Sequence, residues 1–143
     1  MTRARPTALE DATKALARRD RSAADLTAYL ERRGAATGDA AAAVERLRDA
    51  GYVDDARYAA ARAEALAARG YGDEAIRFEL VGAGVGEDDV EAALAALEPE
   101  RERAATLLAA AKQPKAVLRR LAAKGFSADA LEPALAALHD AAE

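Results

Sequence analysis

The chain has 143 residues, a formal net charge of −4, no tryptophan and no cysteine, so disulfide frameworks, thiolate metal sites and thiol nucleophiles are excluded. Its length suffices for one compact domain or a short array of repeats with its own core, and its acidic balance argues against a simple nucleic-acid binder. No stretch approaches the roughly 18 apolar residues of a membrane span, and Met1–Pro6 lacks the apolar run of a signal peptide, so a soluble cytoplasmic protein is expected.

Alanine supplies much of the apolar fraction. Mixed with Leu, Arg and Glu, it favours helix nearly everywhere. Residues 1–7 read as a basic tail. Thr7, with Glu10 three residues on, forms a capping-box pattern, and Ser22 with Asp25 is a weaker version ahead of a second helix. Gly51, Tyr52 and Val53 form a turn. Asp54 then caps a helix that begins at Asp55, which accounts for this acidic pair better than a shared metal or acid–base site, because neighbouring side chains on a helix diverge. Val85, Gly86 and Val90 form a hydrophobic staple, and Glu87, Asp88 and Asp89 lie in the first turn that follows, where the helix dipole favours negative charge. Pro114 opens a later helix, where its missing N–H costs nothing. Ser127, between Phe126 and Leu131, repeats the staple, while Pro133 predicts a kink or a late start for the last helix.

The pattern is internally repeated. Ile76, Leu80, Gly84, Val85, Val90, Leu94 and Leu97, advanced by 41 positions, become Val117, Leu121, Gly125, Phe126, Leu131, Leu135 and Leu138. Moved back by 50 they become Leu26, Leu30, Gly34, Ala35, Ala40, Val44 and Leu47, a weaker first copy. Leu16, Leu66 and Leu107 add a leading helix to each unit. The expected fold is all-α: three tandem three-helix repeats over 8–50, 51–98 and 99–143, forming an elongated, curved modular array. Each helix carries only two or three large apolar residues, so stacking between units is expected to supply part of the core.

Catalysis has little support. The one histidine, His139, sits near the carboxyl end, where a helix dipole accounts for it. Gly82-Ala83-Gly84-Val85-Gly86 lacks the spacing and preceding strand of a phosphate loop, and acids follow it. The expectation is a non-enzyme with no catalytic residue, cofactor or metal. Charge is uneven: residues 1–50 carry 10 basic and 8 acidic groups, residues 51–98 carry 4 and 11, and residues 99–143 carry 7 and 6. The basic clusters Arg18, Arg19, Arg21, Arg32, Arg33, Arg119, Arg120 and Lys124 lie where helices end. There they either complement dipoles or contact phosphates through the guanidinium fork. Arg57, Arg69 and Arg77 are further candidate contacts.

Gly51-Tyr52-Val53-Asp54-Asp55-Ala56-Arg57-Tyr58-Ala59 resembles the Gly-Tyr-aliphatic-Asp-Asp-x-Arg-aromatic-Ala signature of the RecX family. Leu16 to Ser22 with Leu26, Leu30 and Gly34 is similar to that family's first unit. Arg69-Gly70-Tyr71-Gly72 with Ile76, Leu80, Gly84 and Val85 is similar to its second, and Arg120, Gly125, Phe126 and Ser127 to the end of its third. The resemblance spans about residues 8 to 138. It implies a regulator that binds the RecA filament on single-stranded DNA, lies along its groove and restrains its recombinase, ATPase and coprotease activities in DNA repair and the SOS response; a monomer with at most weak direct DNA contact is expected beside it. The acidic middle unit departs from the family pattern and puts DNA contact there in doubt. Gly51, Tyr52, Asp54, Asp55, Arg57 and Tyr58 mark a junction between the first two units, with Tyr52 and Tyr58 in the core or the junction and Arg57 available to a partner. An autonomous helical DNA-binding protein and a helical adaptor for another protein are the alternatives.

Overall fold

A computed structural model describes residues 7–142. The basic tail expected over residues 1–7 lies, apart from Thr7, outside the described residues, and so does the sequence Met1–Pro6. Helices account for the regular structure throughout: α1 (Ala8–Arg18), α2 (Ala23–Arg32), α3 (Thr37–Asp49), α4 (Asp55–Ala68), α5 (Asp73–Gly82), α6 (Glu87–Ala95), α7 (Glu100–Ala109), α8 (Pro114–Ala123) and α9 (Ala128–Ala142). None of them is long and apolar enough to cross a membrane.

The starts of these helices follow from local chemistry. Thr7 Oγ1 accepts the Glu10 N–H at 3.1 Å, Ser22 Oγ that of Asp25 at 3.1 Å, Asp54 Oδ1 that of Arg57 at 3.0 Å, and Ser127 Oγ that of Ala130 at 3.1 Å. Pro114 occupies the first turn of α8. α9 does not start late. Ser127 caps it at Ala128, and Pro133 lies one turn inside, where the chain has barely begun its i→i−4 ladder. The three middle helices end alike: Gly34, Gly84 and Gly125 take φ of 100°, 78° and 95°, and the following N–H returns to the carbonyl of Leu30, Leu80 or Leu121 at 3.0, 3.1 and 3.1 Å. This is the Schellman closure, in which the residue after the glycine packs on the last turn. That residue grows from Ala35 through Val85 to Phe126.

Packing is local. α1 and α2 meet α3, α4 and α5 meet α6, and α7 and α8 meet α9. Three separate clusters result, centred on Leu26, Leu30 and Val44, on Leu66, Ile76, Leu80 and Val90, and on Leu121, Phe126 and Leu131. Val53 belongs to the first of them. The expectation that stacking between units supplies part of the core is therefore corrected: the three clusters stay separate, and the units meet through helix ends joined mainly by hydrogen bonds.

Both junctions follow one plan. At the first, Ser22 Oγ, fully buried, donates to the Ala83 carbonyl at 2.6 Å, and the Ala23 N–H donates to Asp55 at 2.8 Å. At the second, the N–H groups of Gly72 and Glu74 donate to the carbonyls of Lys124 at 2.9 Å and Gly125 at 3.2 Å, and that of Asp73 donates to Glu100 at 2.6 Å. Each time the N-terminus of one unit's second helix abuts the C-terminus of the next unit's second helix, so opposite dipole ends face each other. The acid that opens the next unit's first helix takes the entering N–H.

Burial alone would raise the Glu100 carboxyl. Hydrogen bonds from the Ser127 hydroxyl, the Asp73 N–H and the Ser127 N–H, with the Arg103 charge, outweigh it and hold Glu100 below the usual glutamate range. A carboxylate with a lowered folded pKa contributes stability that is complete above its unfolded pKa and is lost as pH falls through the folded value. The second junction therefore loosens in acid, below the ordinary glutamate range. Amide protection factors at Asp73 and Ser127, corrected for the intrinsic exchange rate at each pH from 6 down to 3, should fall more than those at Ala23 and Asp25; an equal fall would remove Glu100 as the cause.

Candidate partner interface

Three basic residues of the first unit, Arg18, Arg21 and Arg33, converge on one ring. The Arg21 guanidinium lies 4.5 Å from the Tyr29 ring centroid, that of Arg33 lies 5.8 Å away, and Arg18 Nη2 donates to the Tyr29 hydroxyl at 3.2 Å. α1 ends at Arg18 and α2 begins at Ala23, and Tyr29 on α2 comes within reach of all three. Burial lowers the Arg21 pKa, and the neighbouring charge of Arg19 lowers it further. The guanidinium nevertheless stays charged, and cations crowded over an aromatic face form a ready anion contact. Arg33 also reaches Asp11 at 3.5 Å. Arg19 lies on the rim of a groove of about 480 Å³ between the first two units, with Asp25, Tyr58, Arg62 and Glu79. Burial, then the nearby Asp25 carboxylate, raises the Tyr58 pKa.

Other candidates serve the junctions. Arg57 donates to the carbonyls of Gly51 at 3.1 Å and Tyr52 at 3.3 Å and approaches Asp20 at 3.6 Å, so its fork clasps the turn after α3. Lys124 Nζ donates to the Arg69 carbonyl at 2.8 Å and sits 4.6 Å from the Tyr71 ring centroid, over which the Arg69 guanidinium also leans at 5.6 Å. Arg77 pairs with Glu91. Arg32, Arg119 and Arg120 are exposed, the last two on α8, away from the Tyr29 cluster. Of the motif residues, Asp54 caps α4 and Asp55 closes the first junction. Gly51 supplies the turn at φ 83°, and Tyr58 packs against the second core. Tyr52, expected in the core or junction, is 65% exposed.

Two features escape sequence reasoning. Phe78 on α5 is 81% exposed and Val81, one turn on, 59% exposed, an apolar patch on the outer face of the most acidic unit. The only signal was phase: Ile76 and Leu80 face inward, and Phe78 falls between them. The second is Arg103, 9% exposed, which donates to Asp73 at 2.8 Å and to the Glu98 carbonyl at 2.9 Å, with the Phe126 ring centroid 5.7 Å away. It joins three segments at the second junction.

The family model described as "RecX, second three-helix domain" matches residues 54–94. The regulatory protein RecX of Chromohalobacter salexigens is 33% identical over 136 residues, covering 89% of this chain and 90% of that protein. The regulatory protein RecX of Xanthomonas axonopodis pv. citri is 42% identical over 92 residues, 64% of this chain, and the match spans only 57% of that relative's length. A crystal structure of regulatory protein RecX superposes with a TM-score of 0.74 at 26% identity, over 87% of this chain and 69% of the other. RecX from Lactobacillus salivarius has the same fold, with a TM-score of 0.77 at 18% identity over 92% and 94% of the two chains.

Proposed function

Because the chain belongs to the RecX family, we propose that it regulates RecA by binding the RecA filament on single-stranded DNA and restraining its recombinase, ATPase and coprotease activities, as a cytoplasmic monomer without catalytic chemistry of its own. The observation that carries this reading is the division of the molecule into an arginine cluster around Tyr29 at one end and an acidic unit with an exposed Phe78–Val81 patch in the middle. The middle unit faces basic protein surface, and the aromatic patch supplies the desolvated anchor that interfaces concentrate their energy in. Arg18, Arg19, Arg21, Arg32 and Arg33 approach DNA phosphates or acidic filament loops from one side, and Arg119 and Arg120 from the other. The clasping roles of Arg57, Arg77 and Lys124 make them supports of this surface more than contacts. Regulation follows if the ligand binds one filament arrangement more tightly than another.

The test is DNA-dependent ATP hydrolysis by the cognate RecA, titrated with this protein, beside binding to naked DNA at matched salt. Suppression at substoichiometric protein with weak naked-DNA affinity is the expected result. Unchanged hydrolysis at saturating protein would sink the proposal, and a steep salt-dependent affinity for naked DNA would promote an autonomous DNA-binding role, for which the Tyr29 cluster supplies the contact. Phe78→Ala should raise the half-inhibitory concentration roughly tenfold, an interface cost of about 1.4 kcal/mol. The melting temperature should stay unchanged because the ring is already in solvent. A potency equal to that of the parent would place the filament contact elsewhere.

A further inference from the structure

The second helix of the later two units ends in a socket that the preceding unit fills, and among the described residues nothing fills the corresponding socket of the first unit. In the two filled sockets the entering helix brings its N-terminal turn against the C-terminal carbonyls of α5 or α8. The glycine there leaves no room for a side chain: a Cβ on Gly84 would lie 2.4 Å from the Ala24 Cβ, and one on Gly125 would lie 2.6 Å from the Ala75 nitrogen. Gly34 occupies the same place after α2, with a positive φ and the same Schellman closure, yet among the described residues a Cβ on it meets nothing within 4 Å. Around it opens a concavity of about 1010 Å³ between the start of α1 and the end of α2.

We propose that this open socket at the head of the first unit docks the N-terminal turn of a helix from a partner protein, one carrying acidic side chains in that turn. The occupant's chemistry follows from how the open socket differs from the filled ones. Asp55 and Glu100 open α4 and α7 and accept the entering N–H, whereas α1 opens on Ala8. In their place Arg32, Arg33 and Arg46 line the concavity, with Asp11 and Asp39. An arginine already performs the corresponding task at the second junction, where Arg103 pairs with Asp73 in the first turn of the entering α5. The helix dipole of α2 attracts the N-terminal end of the occupant, and the arginines select acids behind it. A second copy of this chain is the wrong occupant. Among the described residues the second helix whose start fills no socket is α8, which begins Gln113-Pro114-Lys115, has no N–H at Pro114 and would bring Lys115 toward three arginines.

The probe is a lactam-stapled peptide with the sequence of residues 71–82, whose first turn carries Asp73 and Glu74, titrated into the isotopically labelled full-length protein. The expected result is saturable movement of the amide resonances of Ala8, Asp11, Gly34 and Ala35, weakened at least tenfold by Arg33→Glu with Arg46→Glu and abolished when both peptide acids become lysine. No movement at those amides up to millimolar peptide, or equal binding of the lysine peptide, overturns the proposal. Two further outcomes would overturn it by naming another occupant. One is self-association of the protein in sedimentation that Arg33→Glu abolishes. The other is broadening of Gly34 in the free protein by a spin label at Thr2→Cys, a unique site because the chain has no other cysteine. None of this depends on RecA, so a failed hydrolysis assay leaves the socket proposal standing, and the reverse holds too.

Discussion

Gly72→Ala should split the molecule between its second and third units. Gly72 has φ −86°, which alanine adopts freely, so the backbone itself raises no objection. The obstacle is space. An added Cβ would stand 2.4 Å from the Gly125 carbonyl carbon, 2.4 Å from the Phe126 nitrogen and 2.5 Å from the Gly125 oxygen. All three are backbone atoms, so no rotamer change can make way, and the Schellman turn holds them in place. Relief comes only by drawing α5 away from α8, which breaks the Gly72-to-Lys124 and Glu74-to-Gly125 hydrogen bonds and strips the Lys124 ammonium from the Arg69 carbonyl. Overpacking and lost hydrogen bonds together cost about 3 kcal/mol or more. Thermal unfolding of the variant should show an early separate transition for the third unit, and amide protection around Phe126 should fall while that around Leu26 persists. Gly34→Ala is the control: it carries only the left-handed backbone cost of about 1–2 kcal/mol, confined to the first unit, since none of the described residues stands near its Cβ. One cooperative transition for Gly72→Ala, shifted no more than that of the control, would show that the junction yields without separating.

The second large effect belongs to Arg103→Ala. The guanidinium is nearly buried and bridges Asp73 on α5, the Glu98 carbonyl ahead of α7 and the face of Phe126. Truncation leaves Asp73 without its partner and opens a gap over the ring. Breaking a buried ion pair from one side costs roughly 3–5 kcal/mol; the Asp73 side chain is 36% exposed, which brings the expectation to about 3 kcal/mol. Arg103→Lys should recover little, because one ammonium cannot reproduce a fork that serves a carboxylate and a carbonyl at once. Denaturant titration of the single variants and of Arg103→Ala with Asp73→Asn tests this. The double variant should lose less than the sum of the two, and strict additivity would mean that the pair is not coupled. Both variants also test the proposed role, since binding to a RecA filament through several units would weaken when those units no longer hold a common geometry.

Much of the fold was legible in the residues. Caps at Thr7, Ser22, Asp54 and Ser127, proline at the first position of α8, and glycine after each second helix are local devices whose chemistry depends on a few neighbours. The repeat of Ile76, Leu80, Gly84 and Val85 as Val117, Leu121, Gly125 and Phe126 marked the inward face of each unit, because burial within a three-helix unit imposes helical periodicity. The candidate site was less legible. Arg57 and Arg119 look alike in sequence, yet one clasps the turn at Gly51 and the other is exposed to solvent. Arg103, absent from the candidate set, is the buried cation of a junction.

The sequence by itself determined the elements, their order and most of the first two cores, since propensity, capping and periodicity act over a handful of residues; in the third unit the repeated positions Leu107 and Leu135 are exposed, and Leu108 packs on the core in place of Leu107. Only the tertiary structure decided how the units meet and which charges remain free. Junctions form between helix ends that lie tens of residues apart, as Ser22 and Ala83 do, and neither hydrophobic period nor composition encodes which carbonyl an entering N–H will find. That same long-range pairing assigns Arg57, Arg77 and Lys124 to the scaffold, gathers Arg18, Arg21 and Arg33 on Tyr29, and leaves the socket beside Gly34 open.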